Sequence, residues 1–548
     1  MLSYLQRTRQ GEPTDLPKQL SAISRLTVVE SSGELPPLTQ EIASLFPHLQ
    51  AQKPLQVTSN PSLPSQPLRV GVLFSGGQAA GGHNVIAGLF DALNKINPES
   101  RLIGFLGGPS GLLESRSLEL TENVIAPYRN QGGFDLLGSG RTKIEKPEQF
   151  LKAAEVVQAL QLDGLVIVGG DDSNTNAALM AEFFLSKGVK TRVVGVPKTI
   201  DGDLQGHGIE ISFGFDTACK TFSATIGSLL RDALSAKKYY YFVKLMGRSA
   251  SHIAVECALQ THPNLTLVGE EVAAKKMTLA QVVESIADLI VKRSQQGKEY
   301  GVILVPEGLI EFAVDVKPLI GELNALLSKE KPHAAQLEAC KSAQEKVNLI
   351  VPLLTTASQA CFTALPLDTQ VQLLLGRDPH GNVQVSKIES ERMLIHMVEA
   401  VLKKQTQAGT YKGKFAPQPI FCGYEGRSCL PSCFDANYCY ALGNIAALLI
   451  RAGKTGYICA IQGLAKPVEE WQCGAIPIVR LMGLETRMGK RVPVIEKTLV
   501  ALDGPVFKAF AAQRQAWVLD DAYLDPGPIQ FWGPRDLTQA ITETLRES

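Results

Sequence analysis

Gly164-Leu-Val-Ile-Val-Gly-Gly-Asp-Asp-Ser-Asn-Thr175 decides how the chain is read. Five apolar or small residues, most of them β-branched, have the length of one buried strand, and two glycines then turn the chain into adjacent carboxylates. Asn174 to Lys187 has helical periodicity, and the strand Thr191–Val196 follows, ending in Pro-Lys-Thr-Ile-Asp-Gly-Asp at 197–203. Strand, glycine turn, helix and strand in that order make an α/β unit with parallel strands.

The same order extends outward. Upstream, Leu68–Phe74 reads as a strand, Ser-Gly-Gly-Gln-Ala-Ala-Gly-Gly-His-Asn (75–84) as its turn and Val85–Ile96 as a helix. Leu102–Leu106 is a strand leading into Gly107–Gly111, and Gln149–Leu160 is a helix. Downstream, a helix from about Cys219 to Ala236 precedes the strand Tyr239–Leu245 and Met-Gly-Arg at 246–248. Tyr300–Val305 leads to Pro306-Glu307-Gly308, and a helix Tyr438–Arg451 precedes the strand Thr455–Ile461. The conspicuous turns fall at carboxyl ends of strands, where parallel sheets bind their ligands.

The expected fold class is therefore α/β: two doubly wound, Rossmann-like domains with mostly parallel sheets, plus an N-terminal extension and a helical insertion. The expected boundaries are 1–68 for the extension, ending in a proline-rich linker at 60–67, and 69–215 with about 455–500 for the first α/β domain. Residues 216–310 with about 400–454 form the second α/β domain, 311–399 a helical insertion and 501–548 a C-terminal segment.

At 548 residues the chain exceeds one compact core. Hydrophobic residues at 45 % and charged residues at 20 % describe a folded chain. Lysine plus arginine (54) equals aspartate plus glutamate (54), so no global field points to nucleic acid or an anionic membrane, and anionic ligands must be met locally. The longest apolar stretch, Asn444–Ile450, is too short to cross a bilayer, and the first residues lack an apolar signal core. Cys422, Cys429, Cys433 and Cys439 lie close together, but no CxxC pair and no nearby histidine support zinc. Reduced thiols in a cytoplasmic protein are expected.

The turns carry the residues phosphoryl transfer needs. Of Asp171 and Asp172, one can bind Mg²⁺, a hard oxygen-seeking ion. Asp201 and Asp203 flank a glycine, and a carboxylate there can accept a hydroxyl proton. Thr199 can donate to a phosphoryl oxygen, and Lys198 can neutralise a leaving group. Glycines 76 and 77 allow close backbone approach, and the helix after them offers N–H groups to an anion. Arg248 and Arg427 are candidate phosphate forks, and Glu307 can accept from sugar hydroxyls.

Gly-Gly-Asp-Asp-Ser at 169–173, Pro-Lys-Thr-Ile-Asp-Gly-Asp at 197–203, Met-Gly-Arg at 246–248 and Gly-Tyr-Glu-Gly-Arg at 423–427 occur in this order. With them the chain resembles the phosphofructokinase family, and within it the diphosphate-dependent enzymes of the long type. The resemblance runs from about residue 69 to 310 and again from about 420 to 465. It implies Asp201 as general base toward the 1-hydroxyl of fructose 6-phosphate, Asp171 as the Mg²⁺ ligand, and Gly76 with Arg141 at the donor diphosphate. It also implies that Thr199, Ile200, Met246, Gly247 and Arg248 bracket the transferred group and sugar. Glu307 should meet the sugar hydroxyls, and Tyr424, Glu425, Gly426 and Arg427 the 6-phosphate. ATP-using relatives place glycine where Asp172 and Lys198 stand, so this pair implies diphosphate as donor. Those relatives reach the 6-phosphate with an arginine from a neighbouring subunit, where this chain has Lys238 and Tyr239. The long type further implies a homodimer. An ATP-dependent enzyme and a non-catalytic regulatory subunit are the alternatives. Asp172 and Lys198 oppose the first, and the intact set Asp171, Asp201 and Arg427 opposes the second.

Overall fold

The computed structural model describes residues 2–548 apart from 34, 36, 62–63, 328–331, 378–382 and 488–489. Ser62 and Leu63 of the expected linker, and 328–331 and 378–382 of the expected helical segment, thus lie outside the described residues. In chain order the strands are β1 (Leu26–Glu30), β2 (Leu55–Ser59), β3 (Arg69–Phe74), β4 (Arg101–Phe105), β5 (Ser117–Glu119), β6 (Gly164–Gly169) and β7 (Arg192–Pro197). They continue with β8 (Tyr240–Leu245), β9 (Leu265–Thr266), β10 (Gly301–Pro306), β11 (Pro417–Cys422), β12 (Tyr457–Gln462), β13 (Gln472–Pro477), β14 (Met482–Arg487) and β15 (Lys490–Ile495). The chain divides into two compact units: 1–218 with 425–498 and 529–546, and 219–424 with 499–528 and 547–548.

The first unit is built on a nine-stranded sheet of order β1-β2-β13-β12-β7-β6-β3-β4-β5. Its centre, β12-β7-β6-β3-β4, is parallel. From β3 the chain moves outward to β4 on one side and to β6 and β7 on the other, so the switch point lies between β3 and β6. Phe74 pairs with Val168, and Gly169 with Pro197, so three strands end level with one another. Every residue of β6 is buried, as a strand covered on both faces requires.

Leu73, Ile167 and Val193 of the sheet share an apolar core with the helices Pro147–Ala159 and Asp171–Ser186. Ile42, Phe46 and Leu49 enter the same core. With β1 and β2 in the sheet, residues 1–59 are part of this unit's body rather than an appended extension. The signal was weak because β1 and β2 are short, antiparallel strands with no glycine turn of the α/β kind after them. The helix Cys433–Arg451 is long and apolar enough for a membrane span, a length the stretch Asn444–Ile450 understated; 94 % of its 18-residue apolar window is buried. It packs on the helix Gly82–Ile96 at very close range: a Cβ on Gly88 would lie 2.1 Å from the Tyr440 carbonyl oxygen, and one on Gly443 2.2 Å from that of Val85.

The second unit has a four-stranded parallel sheet, β11-β8-β10-β9. Leu245 pairs with both Pro306 and Cys422, which again sets three strand ends level. Phe242, Ile303 and Val305 share one core with Leu319, Phe362, Leu373, Leu394 and Val398, so the helices between Val316 and Gln407 are continuous with this unit rather than a separate insertion. Two further boundaries differ from expectation. Residues 425–454 join the first unit, because their helix is its core, and the C-terminal segment is shared. In the second unit Asp521 pairs with Arg293 at 2.9 Å; in the first, Arg9 lies 4.4 Å over the Phe531 ring.

Gly443→Leu is expected to destabilise the protein by at least about 1–3 kcal/mol by overpacking, lowering the thermal midpoint. Gly321→Ala, whose Cβ would meet nothing within 4 Å, is expected to leave that midpoint unchanged or raise it.

Candidate active site

The level ends of β3, β6 and β7 bring together residues far apart in sequence. Ser75 N donates to Val168 O at 2.9 Å, and Ser173 Oγ to Ser75 Oγ at 2.8 Å. Gly76, at φ +88°, donates its N–H to Gly140 O at 2.9 Å and accepts from Ser139 Oγ at 2.5 Å. Its backbone is therefore engaged, and what it supplies is room: a Cβ there would lie 3.1 Å from Lys198 Nζ. A Cβ on Gly77 would lie 2.8 Å from Arg427 Nη1 and 3.7 Å from Arg141 Nη2. Two glycines thus let three cations close in on one corner. The expectation that the following helix offers its N-terminus to an anion does not hold. Gly81 to Asn84 are buried, and a Cβ on Gly82 would strike Phe134 at 2.2 Å.

Lys198 is 5 % exposed, and its backbone N–H donates to Gly169 O at 3.0 Å. Burial, then the charge of Arg427, push its ammonium down to about 8, against the opposing pull of Asp201 and Asp171. Asp203 is pushed up to about 7 by burial and then by Asp201 and Asp171. Asp201 Oδ1 is buried and has no hydrogen-bond partner. The Asp201 N–H donates to Thr199 Oγ1 at 3.1 Å, and buried Ile200 lies between them. Ser212 Oγ holds the Thr199 carbonyl at 2.9 Å.

Asp171 and Asp172 open the helix Asp171–Ser186, where the helix dipole favours negative charge. Each carries a lysine that sequence reasoning missed. Lys497 Nζ lies 3.6 Å from Asp171 Oδ2, and Lys143 Nζ 3.3 Å from Asp172 Oδ1. Lys497 arrives because Ile495, at the end of the β14–β15 hairpin, donates its N–H to Thr175 Oγ1 at 3.0 Å. Nothing in Ile-Glu-Lys-Thr at 495–498 announces this.

In the second unit a separate group forms at the carboxyl ends of β8, β10 and β11. Met246 N donates to Cys422 O at 2.9 Å, and Gly247 N to Glu307 Oε2 at 3.1 Å. Gly247 has φ +134°, a conformation that favours glycine. Gly308 is equally constrained, since a Cβ there would lie 1.9 Å from the Arg248 carbonyl oxygen. Glu307 is 3 % exposed, whereas Tyr424 is 73 % exposed. Lys238 and Tyr239, the ammonium 4.9 Å over the ring, precede β8 and so lie at its opposite end. Within this unit the structure does not bring them to Met246–Arg248. Tyr424 directly precedes the short helix Glu425–Ser428 that carries Arg427. Arg427 Nη1 donates to Gln78 O at 3.1 Å in the first unit.

Residues 69–349 match the family model described as Phosphofructokinase. The pyrophosphate–fructose 6-phosphate 1-phosphotransferase subunit beta of Solanum tuberosum is 51 % identical over 99 % of this chain and 93 % of its own length. The pyrophosphate–fructose 6-phosphate 1-phosphotransferase of Porphyromonas gingivalis is 49 % identical over 92 % of each. Among solved structures, a pyrophosphate-dependent phosphofructokinase from Marinobacter aquaeolei superposes with a TM-score of 0.52 at 17 % identity, over 87 % of this chain and 97 % of that one. That likeness shows a shared α/β fold.

Lysine side-chain NMR is expected to show one ammonium titrating near pH 8, charged below and neutral above, and absent from Lys198→Met. Arg427→Met should move its midpoint up, because a repelling cation is removed; Asp201→Asn should move it down.

Proposed function

The chain belongs to the phosphofructokinase family, and from that premise we propose that it transfers a phosphoryl group reversibly between diphosphate and the 1-hydroxyl of fructose 6-phosphate. The observation that carries this reading is the corner where Arg141, Lys198 and Arg427 face Gly76 and Gly77 beside the carboxylates of Asp171 and Asp201. Diphosphate meets Arg141 and Lys198, and Arg427 beside them is the fork for the 6-phosphate. Asp201 accepts the hydroxyl proton, and its unpartnered buried oxygen supports that role. Thr199 Oγ1 accepts from the Asp201 amide, which leaves its own proton to donate to a phosphoryl oxygen. Lys198 neutralises the departing phosphate while it is protonated, below about pH 8. Glu307, fixed by the Gly247 amide, binds the sugar hydroxyls with Met246–Arg248. With no nucleotide cleaved, the step runs readily in both directions, serving glycolysis and gluconeogenesis.

Enzymes of this family work with Mg²⁺. Among the described residues no three histidine, cysteine or acidic side chains form a closed metal cage. Mg²⁺ commonly takes one or two protein carboxylates together with substrate phosphates and water. Asp171 is the residue that would hold it, a carboxylate already facing the Lys497 ammonium. Bound there, the ion would offset charge on the phosphoryl oxygens.

Asp172 at the donor corner argues for diphosphate over ATP, whose α-phosphate it would oppose. We extend the proposal to a homodimer, which sedimentation of the purified protein tests, and to the cytoplasm, supported by ten free cysteines.

A coupled assay with fructose 6-phosphate and Mg²⁺ is expected to show turnover with diphosphate and none with ATP. Asp201→Asn should lower kcat by about 10²–10⁴-fold with little change in KM for fructose 6-phosphate. Turnover with ATP alone would overturn the donor assignment, and an unimpaired Asp201→Asn the base.

A further inference from the structure

Asp172 does not stand alone at the donor corner. Lys143 Nζ lies 3.3 Å from its carboxylate, with Glu145 Oε1 at 4.0 Å from the same ammonium. The segment that carries Lys143 is fastened at both ends. Gly140 forms a bridge with Ser75 and accepts from the Gly76 amide. Ile144 exchanges two hydrogen bonds with the Asn176 amide, at 3.1 and 2.8 Å. Asn176 is four residues beyond Asp172 on the same helix, so both partners of the ion pair are referred to one rigid element. Lys143 and Asp172 are 31 % and 48 % exposed, and a pair so wet contributes little to the fold. Its geometry is nonetheless held by four backbone or amide contacts, with Arg141 two residues before Lys143.

We propose that Lys143 is a positioning residue for donor choice: it holds the Asp172 carboxylate across the donor corner and becomes, once Asp172 is removed, the cation that admits a third phosphate. Diphosphate is met by Arg141 and Lys198, while the charge of Lys143 is cancelled by Asp172. Exclusion of a nucleoside triphosphate is thus a property of the pair. Deleting the carboxylate both clears volume and unmasks an ammonium on a flexible stem, which suits a nucleotide's additional phosphate.

The inference rests on the proposed function, and steady-state kinetics of the full chain separates the two. Wild type, Lys143→Met, Asp172→Gly and the double variant are assayed with diphosphate and with ATP, and the thermal midpoint of each is recorded. Lys143→Met is expected to raise KM for diphosphate by about two- to fivefold, more than it lowers kcat, the scale of a partly exposed pair. Lys143→Arg should restore the wild-type value. Asp172→Gly should gain turnover with ATP, and adding Lys143→Met should remove most of that gain. Should Lys143→Met lower the thermal midpoint, Lys143→Gln replaces it in the same comparison. Equal ATP use by Asp172→Gly and the double variant overturns the inference. So does an Asp172→Gly that gains no ATP use, or a Lys143→Met with unchanged KM. A wild type inactive with both donors overturns the proposed function, and the inference falls with it.

Discussion

The level ending of β3, β6 and β7 at the switch point is the constraint on which the rest of the first unit depends. Hydrogen-bonded register fixes Phe74 against Val168 and Gly169 against Pro197. The next residue along each strand therefore emerges at one edge: Ser75 and Gly76, Gly170 and Asp171, Lys198 and Thr199. A one-residue slip of any strand would turn its following side chain to the other face and separate the cations from the carboxylates. The buried valines and leucines of these strands thus locate the chemistry as well as stabilise the sheet.

Charge density is the price of that convergence. Arg141, Lys198 and Arg427 meet Asp171, Asp201 and Asp203 in a chain whose formal net charge is zero. Burial disfavours every charged form, and the like-charged neighbours add to it. Lys198 is easier to deprotonate and Asp203 easier to protonate than either would be in water. A site strained in both directions gains when anionic substrate enters, since phosphate oxygens relieve the crowding of cations. Lys497 and Lys143 moderate the opposite crowding of carboxylates at the start of the helix Asp171–Ser186.

What was legible in the sequence follows from range. Gly-Gly-Asp-Asp and Pro-Lys-Thr-Ile-Asp-Gly-Asp each sit directly after an apolar strand, so local pattern alone placed them at strand ends. Glu307 and Met246–Arg248 could be placed in the same way. The lysines could not, because Lys497 reaches Asp171 only through pairing of β14 with β15 and the contact of Ile495 with Thr175. Gly76 was placed at the donor phosphates by resemblance; the structure adds that its amide donates to Gly140 and that it carries no side chain beside Lys198. The N-terminal strands escaped notice because β13, which joins them to the sheet through β2, lies some four hundred residues away in a stretch interrupted by proline and glycine. The parallel centre of the sheet was readable; its antiparallel margin was not.

That margin governs the order in which the protein can be completed during synthesis. The first unit is assembled from residues 1–218, 425–498 and 529–546, while the second is drawn mostly from the continuous stretch 219–424. When the ribosome has delivered the first two hundred residues, β3, β4, β6 and β7 have one another, but β2 has no β13 and the helix Gly82–Ile96 has no Cys433–Arg451 to cover it. The nascent chain must carry an open sheet edge and an apolar helix face until Cys433–Arg451 and Gln472–Pro477 have been made, the interval in which unpaired edges and exposed apolar surface invite aggregation.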